Sequence, residues 1–277
     1  MKETIELLKA GPLGKKSSYV NTYTPSLLFP LPRKPKRDEI QVSEPFPFIG
    51  FDLWTGYEIS WLNESGKPVV AVAEFRIPCE SKFLIESKSF KLYLNSFNNT
   101  KFQSWEQVQS TMIADLSERT ESKVETRLFK LNEIESKIAT LGGVCLDSLE
   151  IECTEYQPQP SYLEVSDKQV EEILYTDLLK SNCLVTGQPD WGSVQIQYKG
   201  KKIGHAGLLK YIVSLRDHNE FHEQCVERIF MDISRRCHPI ELSVYARYTR
   251  RGGLDINPFR TNIKELPKIR NLRLVRQ

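Results

Sequence analysis

No stretch of the 277 residues approaches the roughly 18 consecutive apolar residues of a membrane span. The opening MKETIELLKAGPLGKK has neither the apolar centre nor the small-residue cleavage site of a signal peptide. A cytoplasmic protein without membrane contact is therefore expected. C-x-x-C pairs are also missing: the six cysteines, at 79, 145, 153, 183, 225 and 237, read as free thiols of a reducing compartment rather than a disulfide framework. Nor does one sign of charge prevail, since 38 lysines and arginines nearly balance 36 aspartates and glutamates. Without a global field to hold a nucleic-acid backbone, small molecules or proteins are the expected partners. No G-x-G-x-x-G follows a strand, which excludes Rossmann-type binding of a dinucleotide.

What is present has globular proportions: 40% apolar and 27% charged residues with 15 prolines argue against a disordered or fibrous chain. The length favours about two domains. Residues 1–45 include SLLFPLPRKPKRDEI, whose three prolines and basic cluster argue against a regular helix and predict an extended arm. The cluster Arg33, Lys34, Lys36 and Arg37 is read as a solvated face.

Two segments then echo each other. EISWLNESGKPVVAVAEF (58–75) and CLVTGQPDWGSVQIQY (183–198) each have two β-rich runs around a turn, the form of a hairpin. FKLYLNSFNN (90–99) and LLKYIVSLRD (208–217) align without a gap, placing Tyr93 on Tyr211 and Ser96 on Ser214 in a register of 118 residues. A helical pattern follows each run. Ser104 and Gln107 suggest a capping box before Val108, Met112, Ile113 and Leu116; Asn219 suggests an N-cap before Cys225, Val226, Ile229, Phe230 and Ile233. VETRLFKL (124–131) and IELSVYARY (240–248) close the units as strands. The fold class is α+β, with residues 46–153 as a first module, 154–166 as a linker and 167–277 as a second. Only the second copy holds Cys183, Asp190 and the His222–Glu223 pair, and only the first holds ESKSFK. Such complementary loss is expected if one site draws on both modules.

Cys183 heads a predicted strand, where it is either a buried small hydrophobe or a nucleophile whose thiolate needs a positive neighbour or a base such as His222. Asp190 is either a turn residue bonding its own backbone or a general acid whose pKa is raised by desolvation beside Trp191. His222 and Glu223 fall in the first turn of a helix, where an acidic residue suits the dipole. A carboxylate there is also a planar bidentate acceptor for the N–H and NH₂ edge of a guanine-type ring. A metal set of His222, Cys225, Cys237 and His238 matches no common zinc spacing. In IESKSFKLY (85–93), strand alternation puts Glu86, Lys88 and Phe90 on one face and Ser87, Ser89 and Lys91 on the other. RYTRRGGLDINPFR (247–260) sets arginines before Gly252-Gly253, a setting for holding a phosphate.

With ESKSFKLY, SNCLVTGQPDWG, FHEQCVERIF and RRGGLDINPFR in this order, the chain resembles the QueF family of nitrile reductases from about residue 15 onward. That family converts 7-cyano-7-deazaguanine to 7-aminomethyl-7-deazaguanine in queuosine biosynthesis, a tRNA modification pathway. The resemblance is to the longer, two-module form. It implies tandem tunnelling-fold (T-fold) modules, antiparallel sheets backed by helices that assemble into a barrel, in a homodimer or higher oligomer. It implies that Cys183 forms a covalent thioimide with the nitrile, that Asp190 protonates the nitrogen, that His222 supports proton movement, and that NADPH supplies two hydrides. Ile85, Glu86, Ser87, Phe221, His222 and Glu223 would hold the substrate, and Ser87, Lys88, Arg251 and Gly252 the cofactor. No resident metal is implied. The alternatives are a GTP-cyclohydrolase-like enzyme of the same fold, which normally needs a metal, and a purine-binding module without chemistry.

Overall fold

The computed structural model describes residues 19–134 and 138–277. The protein is mixed α+β and divides into two compact units built from non-contiguous segments. Among the described residues the first unit takes 19–39, 51–134 and 250–255, and the second takes 40–50, 138–249 and 256–277. No described helix is long and apolar enough to cross a membrane.

In the first unit, strand β1 (Pro30–Pro32) leads into helix α1 (Lys34–Glu39), and strands β2 (Ile49–Leu62) and β3 (Pro68–Pro78) form an antiparallel hairpin. Its turn closes as Gly66, at φ +82°, donates to the Asn63 carbonyl and Asn63 donates to Lys67. Strand β4 (Phe83–Ile85) pairs with β1, and helices α2 (Ser87–Ser96) and α3 (Trp105–Thr120) precede strand β5 (Glu125–Phe129), which pairs with β3. Both helices pack on the hairpin through aromatics. Phe90 of α2 lies 5.2 Å from Trp54 and 4.9 Å from Phe75, and Trp105 of α3 meets Trp61 at 4.9 Å.

Two expectations for this unit are corrected. Lys34–Glu39 is helical because Pro35 falls in the first turn, where its missing N–H removes no helical bond. The basic cluster is also not a solvated face: Arg33, Lys36 and Arg37 are buried, and only Lys34 is exposed. Each buried cation has an acceptor, as burial of charge requires. Arg33 pairs with Asp52 at 2.5 Å and donates to Ser81, Arg37 donates to the Cys79 carbonyl, and Lys36 reaches Glu39 at 2.8 Å. Second, 87–96 is a helix, not an alternating strand. The Glu86 carboxylate caps it by accepting from the Lys88 and Ser89 N–H groups, and Phe90, Tyr93, Leu94 and Phe97 recur at helical spacing on the buried side.

The second unit carries the short strands β6 (Ile138–Ala139) and β7 (Val144–Cys145) and a long antiparallel hairpin of β8 (Val165–Asn182) and β9 (Pro189–Ile203). Helices α4 (His205–Ser214) and α5 (His222–Cys237) follow, then strands β10 (Glu241–Tyr248), β11 (Leu254–Thr261) and β12 (Arg273–Leu274). The sheet runs β11-β10-β9-β8-β7, antiparallel except for the β7–β8 pair. Helix α5 buries Val226, Ile229, Phe230 and Ile233. It also explains why 40–50 belongs here rather than with the first module: Arg235 donates to the Ile40 and Gln41 carbonyls, and Phe48 meets Phe230 edge-on at 5.4 Å.

The repeat is visible in atomic detail. Helices α2 and α4 are each ten residues long and stand in the 118-residue register. Ser96 donates to the Tyr93 carbonyl and Ser214 to the Tyr211 carbonyl, each at 2.6 Å. Each serine oxygen also accepts a distant backbone N–H, from Thr24 and Gln159 respectively. Tyr93 donates to Asp115 of α3 at 2.6 Å and Tyr211 to Asp232 of α5 at 2.7 Å. Burial, reinforced by these aspartates, pushes both phenols well above the ordinary tyrosine range.

Candidate active site

Cys183 does not head a strand. Strand register pairs Ser181 with Asp190 and Asn182 with Pro189, which leaves 183–188 as the hairpin turn. Cys183 donates to the Gln188 carbonyl at 2.8 Å and accepts from the Gly187 N–H at 3.0 Å, with Gly187 at φ +65°. These bonds hold the buried cysteine, 1% exposed, at a fixed place in the turn.

The residue before it is tied to the approach to α5. Asn182 donates to the His218 carbonyl and accepts from the Glu220 N–H. This pairing keeps 218–220 extended, so Asn219 is not the N-cap: the helix starts at His222 and Phe221 occupies the capping position. Glu220, 1% exposed, is fixed by Arg228 and has His218 Nε2 at 3.3 Å. Burial alone would raise its carboxyl, but His218 and Arg228 together hold it below the usual range.

At the head of α5, His222 and Glu223 are buried, as is Asp190 near the start of β9. His222 Nε2 lies 3.6 Å from Asp190 Oδ1. That is within ion-pair range and longer than a hydrogen bond. Trp191 faces the opposite side of its strand from Asp190, with its ring 5.3 Å from the Arg216 guanidinium and 37% of the residue exposed. The expected shielding of Asp190 by Trp191 is therefore corrected. The buried setting of Asp190 comes instead from the His222 side, where Tyr248 of β10 meets the imidazole with ring centroids 4.0 Å apart. Tyr248 was not singled out by sequence reasoning. Its one sequence signal is its place at the end of an apolar, alternating strand.

Ile85, Glu86, Ser87 and Lys88 lie in the first unit. Ile85 and Glu86 are each 1% exposed, and the Glu86 carboxylate accepts from the Lys88 N–H at 2.6 Å and the Ser89 N–H at 2.8 Å. Burial pushes its carboxyl upward, opposed by those amides. Oε1 also has the Ser87 hydroxyl at 3.5 Å, so Oε2, with one donor, is the oxygen with more room for a further N–H.

Arg251 and Gly252 belong to the same unit, in the turn between β10 and β11. Arg251 and Leu254 exchange backbone hydrogen bonds, and Gly252 and Gly253 adopt φ +62° and +78°, so the Gly-Gly pair is a geometric requirement of this turn. The turn is pinned where β2 bulges between Gly56 and Ile59, as Tyr57 donates to the Gly253 carbonyl. One helical turn after Lys88, Lys91 packs against it: a Cβ on Gly252 would stand 3.0 Å from Lys91 Cδ. A Cβ on Gly253 would meet the Glu58 carboxylate. Lys91 Nζ lies 3.5 Å from Glu58 Oε2, so the Gly-Gly turn sits between a cation and the carboxylate that pairs with it. Lys91 is an addition to the expected set.

The metal alternative fails on geometry. His222 opens α5 and His238 caps its far end, about 24 Å away at the helical rise. Among the described residues no group of three His, Cys, Asp or Glu side chains is placed to hold a metal ion.

Known proteins are similar to this chain over most of its length. Residues 19–128 match the family described as nitrile reductase, 7-cyano-7-deazaguanine-reductase N-term, and residues 189–266 match QueF-like protein. The chain is 58% identical over 260 residues to the NADPH-dependent 7-cyano-7-deazaguanine reductase of Delftia acidovorans, covering 90% of this chain and 92% of that protein. With the protein of the same name from Cupriavidus pinatubonensis it shares 56% identity over 278 residues, covering 99% and 100%. A solved structure, the archaeosine synthase QueF-Like in the apo form, matches 37% of this chain and 99% of its own at 15% identity and a TM-score of 0.31.

Proposed function

The chain belongs to the QueF family of nitrile reductases, and from that membership we propose how its own residues serve the NADPH-dependent reduction of 7-cyano-7-deazaguanine to the primary amine. The observation that carries the reading is the assembly in one unit of a buried turn cysteine, Cys183, with Asp190 and His222 in ion-pair range of each other.

The sulfur of Cys183 bonds to the nitrile carbon, and the π pair released collects on nitrogen. That nitrogen takes a proton from Asp190, giving a thioimide; the proton lost by the thiol balances it, so the adduct has the full mass of the substrate. Covalent capture turns a poor hydride acceptor into an imine-like one. NADPH, when bound, supplies the hydride equivalents, two in all, that carry the captured carbon to the amine and free the thiol. His222 restores the proton on Asp190 between steps. In the first unit the residues read as holding the deazaguanine are Glu86, an acceptor for a planar N–H and NH₂ edge, with Ile85 and Ser87; in the second they are Glu223, an acceptor of the same kind, and Phe221. Ser87, Lys88, Arg251 and Gly252 hold the cofactor, an assignment supported by the Gly-Gly turn beside α2.

Each unit, an antiparallel hairpin sheet followed by two helices, is read as a tunnelling-fold module, and barrel closure within a homodimer or larger assembly in the cytoplasm belongs to this proposal. The decisive experiment mixes the protein with 7-cyano-7-deazaguanine in the absence of NADPH and maps peptides by mass. The Cys183 peptide gains the mass of the substrate and a new near-ultraviolet absorbance appears; an unmodified Cys183 defeats the mechanism.

A further inference from the structure

We propose that Tyr248 is a positioning residue, whose aromatic ring holds the His222 imidazole in the one orientation that faces Asp190. This rests on the reading of His222 as the group that returns protons to Asp190.

The geometry is specific. The two rings stand 4.0 Å apart, centroid to centroid, at 60°. Tyr248 is fully buried at the end of β10 and sits opposite Gly192 of β9, two residues beyond Asp190. A Cβ on Gly192 would fall 3.1 Å from Tyr248 Cδ1 and 3.3 Å from Cε1. The strand beside the catalytic aspartate therefore lacks a side chain where the tyrosine ring lies, and lacks it in a conformation that other residues also adopt.

The backbone at this position is fixed as well. Thr249 donates to the Trp191 carbonyl at 2.9 Å, and the Tyr248 carbonyl accepts from Gln277 Nε2 at 3.0 Å. Gln277 is held in turn by Arg247 Nε and by the Asn257 side chain. The ring is thus set by a strand on one side and a polar network on the other.

The hydroxyl is not the acting part. Tyr248 Oη and Ser181 Oγ are buried without a hydrogen bond of ordinary geometry, and the phenol has the Cys225 thiol, Asp190 and Ser181 as its electrostatic neighbours. Burial pushes the phenol well above its usual range and the Cys225 thiol up to about 12, so both stay protonated at working pH. What remains is shape: an imidazole free to rotate would spend little time facing Asp190, and small losses of alignment at a reacting centre are costly in rate.

The test compares Tyr248→Leu, Tyr248→Phe and Gly192→Ala, with Tyr248→Leu repeated in a His222→Ala background. Tyr248→Leu is expected to lower kcat about tenfold while KM stays within about twofold, because an alignment effect acts on the transition state. Tyr248→Phe recovers most of the loss. Gly192→Ala, which displaces the ring without removing it, falls between and serves if the leucine variant does not fold. In the His222→Ala background the leucine substitution costs nothing further. An equal loss in both backgrounds, or a phenylalanine variant as impaired as leucine, overturns the proposal. A second readout needs no substrate: NMR signals of the His222 ring, identified by their absence in His222→Ala, form one sharp set in the wild type and broaden or split in Tyr248→Leu. Unchanged signals overturn the positioning role, whereas changed signals in a protein that does not reduce the nitrile would sink the substrate assignment alone.

Discussion

Both carboxylate oxygens of Glu220 are held by the Arg228 guanidinium, with Nε at 3.1 and 2.9 Å and Nη2 at 2.5 Å. The pair fastens the segment entering α5, and the Glu220 N–H is the donor that binds Asn182, the residue before Cys183. One ion pair therefore borders both the start of the helix bearing His222 and the edge of the Cys183 turn.

Arg228→Met leaves the buried Glu220 carboxylate with only His218 as a cationic partner, and the expected loss is about 3 kcal/mol of unfolding free energy in a urea titration. The pH dependence follows from the sign of the shift. A carboxyl held below its ordinary range contributes stability that is fully present above roughly pH 4.3 and lost as pH falls through its folded value. Glu220→Gln accordingly gives a flatter acid limb than the wild type. Equal slopes for the two proteins would remove Glu220 from the account of acid stability.

Asp190→Ala tests the proton donor. A general acid contributes about 10²- to 10⁴-fold, so kcat for nitrile reduction should fall by at least the lower figure with KM for the nitrile little changed. A loss confined to KM would make Asp190 a binding residue only.

Gly253→Ala probes the cofactor cradle. Its φ of +78° and the Glu58 carboxylate, 2.7 Å from an added Cβ, both oppose a side chain, so the Arg251 turn must shift. KM for NADPH should rise about tenfold, while Cys183 adduct formation, which needs no cofactor, keeps its wild-type yield. Reduced adduct yield would place the turn on the nitrile side of the chemistry instead.

The repeat was legible because Tyr93, Ser96, Tyr211 and Ser214 do the same structural work in both copies, so their spacing survived. The body of α5 was legible for a similar reason, since Val226, Ile229, Phe230 and Ile233 mark the buried stripe, whereas Asn219 misplaces its start. Other features depended on partners far along the chain. Leu184, Val185 and Thr186 have strand composition, and only the pairing of Asn182 with Pro189 makes them a turn. The burial of Arg33 depends on Asp52 and Ser81, which no local pattern announces. ESKSF alternates polar residues as an edge strand would, and the helix there exists because the Glu86 side chain turns back to cap it. Tyr248 stands 26 positions after His222 in sequence and reads only as one more aromatic in a strand.

The exchange of segments between the units bears on how the chain emerges from the ribosome. Tyr57 lacks the acceptor for its N–H until Gly253 has been synthesised, and Arg235 arrives long after the Ile40 and Gln41 carbonyls that it binds. Neither unit is complete in a nascent chain that stops midway. A gene cut between the two copies would therefore part 40–50 and 250–255 from the units in which they pack.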